Sequence, residues 1–148
     1  MKFKAQKEST GYLFMQICKL RRNQSNALLS ASGIHAGQDA LLYYLDLQDG
    51  QTITALVTKM NIQYATISNM IDRMEAAGLL NREKDIADKR VSRVYLTQKG
   101  KESVSKIAAA WRVLEAKTIH GLNDTEQQQL NSLLKKVADN LTADLSDQ

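Results

Sequence analysis

Apolar side chains recur along this chain at helical spacing in six stretches and close up into two short strand-like runs in between. The first stretch carries Leu13, Ile17, Leu20, Ala27, Leu28 and Ala31, with Ser9 or Thr10 placed to cap it and Gly33 to stop it. A second helix is predicted from about Ala36 to Leu47, with Ala40, Leu41, Tyr44 and Leu45 inward and Asp49-Gly50 as the turn that ends it. Thr52 caps a short third helix, Ile53 to Lys59, whose Leu56 and Val57 face the core. Asn61-Ile62 then lead into a fourth, with Ile67, Met70, Ile71, Met74 and Ala77 on one side. Its other side is small or polar: Ala65, Thr66, Ser68, Asn69, Asp72 and Arg73. Such a face lets a helix lie close against another surface.

Gly78 ends that fourth helix, because a residue without Cβ readily takes the left-handed conformation of a helix end. Leu79-Leu80 open a strand and Val91 to Leu96 supply its return, around a charged tip from Glu83 to Arg90. Thr97 is placed to cap a long fifth helix with the stripe Val104, Ile107, Ala108, Trp111, Leu114, Thr118 and Leu122. Asn123 and Glu126 stand at capping-box spacing, and a sixth helix follows with Leu130, Leu133, Leu134, Val137, Leu141 and Leu145. The fold class is therefore mainly α with a small β-wing, a winged helix-turn-helix of six helices. Lys2, Lys4 and Lys7 begin a polar lead-in expected to fray.

At 148 residues with no proline, low-complexity segment or repeat, the chain reads as a single domain, 1–148. The winged-helix lobe is predicted at about 36–100, with the helices of about 9–33 and 101–146 outside it. Those outer helices lie at opposite ends of the sequence, yet each has a long apolar face that the middle of the chain is too small to cover. Packing together and against a second copy, in a two-fold homodimer, resolves this. A self-contained helical bundle is the alternative.

Composition narrows the function. With 24% charged and 43% hydrophobic residues the chain has the make-up of an ordinary globular protein. The sequence offers no membrane-length apolar run and no secretory leader. One cysteine excludes an internal disulfide and suits a reducing compartment, so the cytoplasm is expected. Two histidines, no glycine-rich phosphate loop and no metal-ligand cluster argue against an enzyme, a metal site or a cofactor. Net charge is +4, and residues 81–101 hold an excess of the same size: Arg82, Lys84, Lys89, Arg90, Arg93, Lys99 and Lys101 against Glu83, Asp85 and Asp88. On a wing, such cations suit the phosphates of double-stranded DNA.

The segment Asp88-Lys89-Arg90, followed after five residues by Leu96-Thr97-Gln98-Lys99-Gly100, resembles the D-x-R…LT-x-x-G wing signature of MarR-type transcriptional regulators. Ile71 to Leu80 resembles the end of that family's recognition helix. The resemblance implies a DNA-binding regulator, of the repressor kind, on a pseudo-palindromic operator. At the front of the fourth helix, Gln63, Tyr64, Thr66, Ser68 and Asn69 are the candidates for the major groove, since Gln and Asn pair with adenine and Thr meets a thymine methyl. Arg73, one turn on, is expected to hold a phosphate or a wing carboxylate. The resemblance further implies that Arg90 enters the minor groove, with Lys89 and Arg93 holding phosphates and Asp88 orienting Arg90 or Arg73. Where family members begin this helix with Ser or Thr and then proline, this chain has Gln63-Tyr64-Ala65. Where the second helix commonly begins with Thr or Ser, His35 stands here, as a cap or an exposed side chain.

Relatives often release DNA when a small aromatic or phenolic acid binds, and Tyr12, Arg22, His35 and Tyr43 have the chemistry to line such a site. Two other readings stay open. Cys18 could make the protein redox-responsive, although its position on a partly buried helix suits a small hydrophobe. A helical protein–protein adaptor could keep a winged helix without using it on DNA, and its association with DNA would then be weak and insensitive to salt.

Overall fold

Ser9 starts the first helix as its position requires, its hydroxyl accepting the backbone N–H of Tyr12 at 3.2 Å. This helix, α1 (Thr10–Leu29), continues as a short 3-10 turn (Ser30–Ser32) to Gly33 in a computed structural model that describes residues 9–146, with side chains through residue 142. Lys2, Lys4 and Lys7 and the side chain of Leu145 lie outside the described residues. Among the described residues follow α2 (Gln38–Leu47), β1 (Gln51–Thr52), α3 (Ile53–Met60), α4 (Tyr64–Ala76), β2 (Leu80–Lys84), β3 (Ser92–Leu96), α5 (Gln98–Thr118) and α6 (Asp124–Ser146). The six helices match the six apolar stretches. The chain divides within α5 into two compact units, Met1–Leu114 and Glu115–Gln148.

In the first unit the core is built from Leu41, Leu42 and Leu45 of α2, Leu56 of α3, Ile67, Ile71 and Met74 of α4, and Leu80 and Val94 of the sheet, all fully buried. Each such side chain contributes about 1.5–3 kcal/mol by leaving water, which fixes how the elements pack even though each is short. Leu29 and Ile107 bring α1 and α5 onto the same cluster. The Trp111 indole N–H of α5 donates to Asp39 Oδ2 of α2 at 2.9 Å.

The sheet has the order β1-β3-β2, antiparallel throughout, with Leu80 opposite Leu96 and Lys84 opposite Ser92. Its outer strand β1 pairs Gln51 with Val94 and Thr52 with Arg93, and no sequence expectation covered it. Two residues are too few to show a period of two, so only tertiary pairing reveals the strand. Thr52 does double duty, because its hydroxyl also accepts the N–H of Ala55 at 3.1 Å and caps α3 as its sequence position requires.

Several boundaries and faces differ from expectation. α2 begins at Gln38, and Leu42 is buried on it while Ala40 and Tyr44 are half-buried. Ala77 sits exposed as the C-cap of α4, because the helix has already left the core there. The first strand of the wing begins at Leu80 and its return at Ser92, and the tip is shorter than the Glu83–Arg90 run. Cys18 is exposed within the single chain, since the buried side chain of α1 is Leu29, a full three turns later.

In the second unit the capping box forms in both directions. The Asn123 N–H donates to Glu126 Oε2 at 2.8 Å and the Glu126 N–H to Asn123 Oδ1 at 3.0 Å. Among the described residues no helix is long and apolar enough to cross a membrane.

Candidate nucleic-acid interface

α3 and α4 form a helix-turn-helix. Asn61 takes a left-handed conformation (φ 50°) that turns the chain out of α3, and Gln63 is the N-cap of α4. Gln63 makes no side-chain capping bond, so the missing Ser-or-Thr cap leaves the helix start in place but its first N–H groups without a side-chain acceptor. With Ile67, Ile71 and Met74 buried, the 3.6-residue repeat turns Gln63, Tyr64, Thr66 and Asn69 to solvent. Tyr64 is more than half exposed. Ser68, grouped with them on sequence grounds, is half-buried, since it follows Ile67 toward the core side.

The far end of α4 is tied to the wing. Gly78, at φ 75°, makes the turn, and the Leu79 N–H returns to the carbonyl of Met74 at 2.9 Å. The Thr97 hydroxyl donates to the carbonyl of Gly78 at 2.7 Å and accepts the Gly100 N–H at 3.0 Å, capping α5. Lys99 Nζ donates to the carbonyl of Ala77 at 2.7 Å. Gly100 itself lies where a Cβ would collide with the carbonyl oxygen of Leu79. The Thr-x-x-Gly spacing is thus a joint: it holds the end of α4, the start of β2 and the start of α5 on one another. Arg82 of β2 adds a second tie by pairing with both Asp72 and Glu75 of α4.

Asp85 organises the tip. One carboxylate oxygen accepts the N–H of Ala87 at 2.8 Å and of Asp88 at 3.1 Å, while the other accepts from Arg93. The backbone closes beneath it, with the Asp85 N–H on the carbonyl of Val91 and the Val91 N–H on that of Asp88, both at 2.9 Å. Arg93 holds Asp85's carboxyl below the usual carboxylate range, helped by the two N–H groups against a smaller opposing effect of burial. Asp88 grips Arg90 by both oxygens, at 3.0 Å to Nε and 3.0 Å to Nη2, and also accepts the Arg90 N–H at 3.0 Å. That pairing lowers the Asp88 pKa and raises that of Arg90. Even so, the Arg90 side chain remains 90% exposed. It is a cation aimed from a fixed mount, and Lys89 beside it is exposed too.

Arg93 has a different position from the one expected of a phosphate-holding neighbour. Its Nε is on Asp85 and its Nη1 donates to the carbonyl of Gly50 at 2.9 Å, so it fastens the wing base to the β1 turn. Arg73 does not reach the wing carboxylates, which are taken by Arg90 and Arg93. It lines an open cleft of about 350 Å³ with His35, Ala36, Gln38, Thr66, Asn69 and Met70. Of the four residues expected to line a ligand site, His35 alone lines this cleft; its N–H is held by Gln38 Oε1 at 3.1 Å. Tyr43 packs on Trp111 with ring centroids 5.2 Å apart, Tyr12 accepts from Gln16, and Arg22 is exposed. Asp85 went unrecognised as an organiser. The signal was present in Asp85-Ile86-Ala87, since an Asp side chain readily bonds the N–H two residues on.

The description "MarR family" belongs to the family model that matches residues 34–92. The uncharacterized HTH-type transcriptional regulator YkoM of Bacillus subtilis is 33% identical over 104 residues, 70% of this chain and 68% of that protein. Bordetella bronchiseptica BpsR, whose DNA binding is regulated by 6-hydroxynicotinic acid, is 27% identical with a TM-score of 0.79, covering 88% of this chain and 99% of its own. A MarR mutant from E. coli, solved in complex with operator DNA, shares the fold at a TM-score of 0.83 and 23% identity, over 93% of this chain and 99% of its own.

Proposed function

Since this chain belongs to the MarR family of non-enzymatic, winged-helix DNA-binding transcriptional regulators, we propose that it is a homodimeric repressor that reads a pseudo-palindromic operator. The observation that carries this reading is a single framework with two exposed elements. α4 turns Gln63, Tyr64, Thr66 and Asn69 outward, and the wing tied to its end presents Arg90. In this reading the α4 side chains meet base edges in the major groove while Arg90 enters the adjacent minor groove, where narrow A·T-rich stretches concentrate negative potential. Ser68 follows at the margin of the groove and Lys89 on a phosphate, while Asp88 keeps Arg90 in its fork. Arg93 supports the wing from within, through Asp85 and the Gly50 carbonyl. Arg73 lies farther along α4, within reach of a phosphate at the groove edge.

The E. coli MarR mutant, solved in complex with operator DNA on the same fold, supports a role on operator DNA. A dimer seated on duplex blocks whatever else would use that site, which is how such a body represses.

The test begins by selecting bound sequences from a randomised duplex pool, which should yield two half-sites about one helical turn apart. On that duplex Arg90→Ala should weaken binding by about tenfold or more at fixed salt. The logarithm of affinity should fall steeply with that of salt concentration. Unchanged affinity for Arg90→Ala removes the wing from the interface, and a flat salt dependence favours an adaptor instead.

Effector control has one specific observation behind it. His35 and Arg73 border a cleft whose other wall, Thr66 and Asn69, is the reading face itself. An aromatic acid held there by Arg73 would cover that face, and BpsR's regulation by 6-hydroxynicotinic acid supports the idea. It acts only if it binds the DNA-free arrangement better. Titrating 6-hydroxynicotinic acid into the protein–operator complex should lower affinity for wild type and not for Arg73→Ala. Equal loss in both would move the effector elsewhere.

A further inference from the structure

Ile86, at the tip of the wing, is 99% exposed, whereas among the described residues the other exposed large apolar side chains reach 66% at most. Single apolar residues on a surface are ordinary, so exposure alone means little. What distinguishes Ile86 is its mount. The turn that carries it is closed by Asp85, which accepts the N–H of Ala87 and of Asp88 and pairs with Arg93, and by the bonds between Asp85, Val91 and Asp88. An apolar side chain is therefore held out at a fixed place, two residues before Asp88 and in the same tip as the cations Lys89 and Arg90. A solvated charged loop has no use for that arrangement. An element that enters a groove walled by phosphates and floored by bases does.

We propose that Ile86 is the wing's apolar contact in the minor groove and sets its preference for A·T pairs there, beside the charge supplied by Arg90. This rests on the wing reading above. Minor-groove proteins use isoleucine and similar side chains as wedges against base steps. The groove is about 6 Å wide, and the floor of an A·T pair offers adenine's C2–H, against which a methyl group packs. A G·C pair puts the guanine 2-amino donor there instead, and Ile86 can neither accept its hydrogen bond nor let water do so. Arginine reads potential and width. Isoleucine reads the absence of that amino group.

The experiment uses the full chain and the duplex enriched by wild type from a randomised pool, with the pairs beneath the wing located by hydroxyl-radical footprinting. Those pairs are replaced by G·C or by inosine·C, which keeps guanine's major-groove edge but lacks the 2-amino group. Wild type should bind the inosine duplex about as well as the A·T duplex and the G·C duplex less well. Ile86→Ala should lose about fivefold in affinity on the A·T duplex, the size expected when part of an apolar side chain leaves an interface. Its salt slope should not change, and its preference for inosine·C over G·C should be lost; Ile86→Val should stay near wild type. Arg90→Ala, by contrast, should lower the salt slope by about one.

If Ile86→Ala binds as wild type while Arg90→Ala is weakened, the inference fails and the wing reading stands. A full G·C penalty retained by Ile86→Ala also overturns it. If neither variant weakens binding, the wing reading falls and this inference with it. Because Ile86 is 99% exposed, an unchanged melting temperature for Ile86→Ala is expected and separates binding from folding.

Discussion

Asp85 and Asp88 are two carboxylates three residues apart with different work. Asp85 takes N–H groups and Arg93 to shape the turn; Asp88 takes Arg90 and so aims the cation. Both have folded-state pKa values below their ordinary ones, held there first by Arg93 and Arg90 respectively. A carboxylate with a depressed folded pKa stabilises the fold above its unfolded value, about 3.9 for Asp. That contribution is lost as pH falls from there through the folded value. The wing should therefore keep its structure unchanged across neutral and mildly acidic pH and loosen only below about pH 4. Amide chemical shifts of Ala87 and Asp88 followed by NMR would check this; a transition near pH 6 would mean another group controls the turn. The sequence showed Asp88 within a D-x-R signature and Asp85 among the charges of the same loop. It did not show that Arg93 belongs to Asp85, because that pairing depends on the register of β2 against β3.

At the scale of elements, the reading helix and the wing behave as one piece because three links join them. Arg82 pairs with Asp72 and Glu75, Lys99 takes the carbonyl of Ala77 at the end of α4, and Thr97 reaches Gly78. Two cations counted toward DNA on sequence grounds, Arg82 and Lys99, are thus spent inside the lobe. Local charge excess overstates what is free for phosphate. Gly100 sits at the centre of this joint, against the Leu79 carbonyl. Gly100→Ala should destabilise the lobe by about 1–3 kcal/mol as the added carbon pushes α5 from β2. Thermal unfolding would measure it, and a melting temperature equal to wild type would mean that the joint gives way at little cost. Helix periods, caps and the Gly78 stop were legible because each is set by residues within a turn or two. β1 was not, since two residues carry no pattern and their pairing partner lies some forty residues on.

At the scale of the whole molecule, large apolar side chains remain in solvent on a single chain: Leu13, Met15, Ile17 and Leu20 on α1, and Leu133 and Leu141 on α6. Apolar exposure of this kind, on each of the two helices, marks an association surface. The proposed second copy would cover it and would set two α4 helices at a spacing that matches the duplex. Light scattering should give the mass of two chains. Leu20→Glu with Leu133→Glu should give one chain, with the lobe still folded by circular dichroism and operator affinity reduced by about a hundredfold or more as half-sites uncouple. A wild-type protein that scatters as one chain would sink the dimer.

The sequence alone determined the local pieces: which segments are helices, where Thr52, Thr97 and the Asn123–Glu126 pair cap them, and the wing signature that points to DNA. These follow from hydrogen bonds and burial over a few residues, which spacing records directly. Tertiary structure decided which charges are free. Arg82, Arg93 and Lys99 look like Arg90 in the chain, but folding places acceptors beside them from distant strands and helix ends. It holds Arg90 exposed in its fork and leaves Ile86 bare at the apex. A charge's partner depends on register and packing, and no spacing along the chain encodes that.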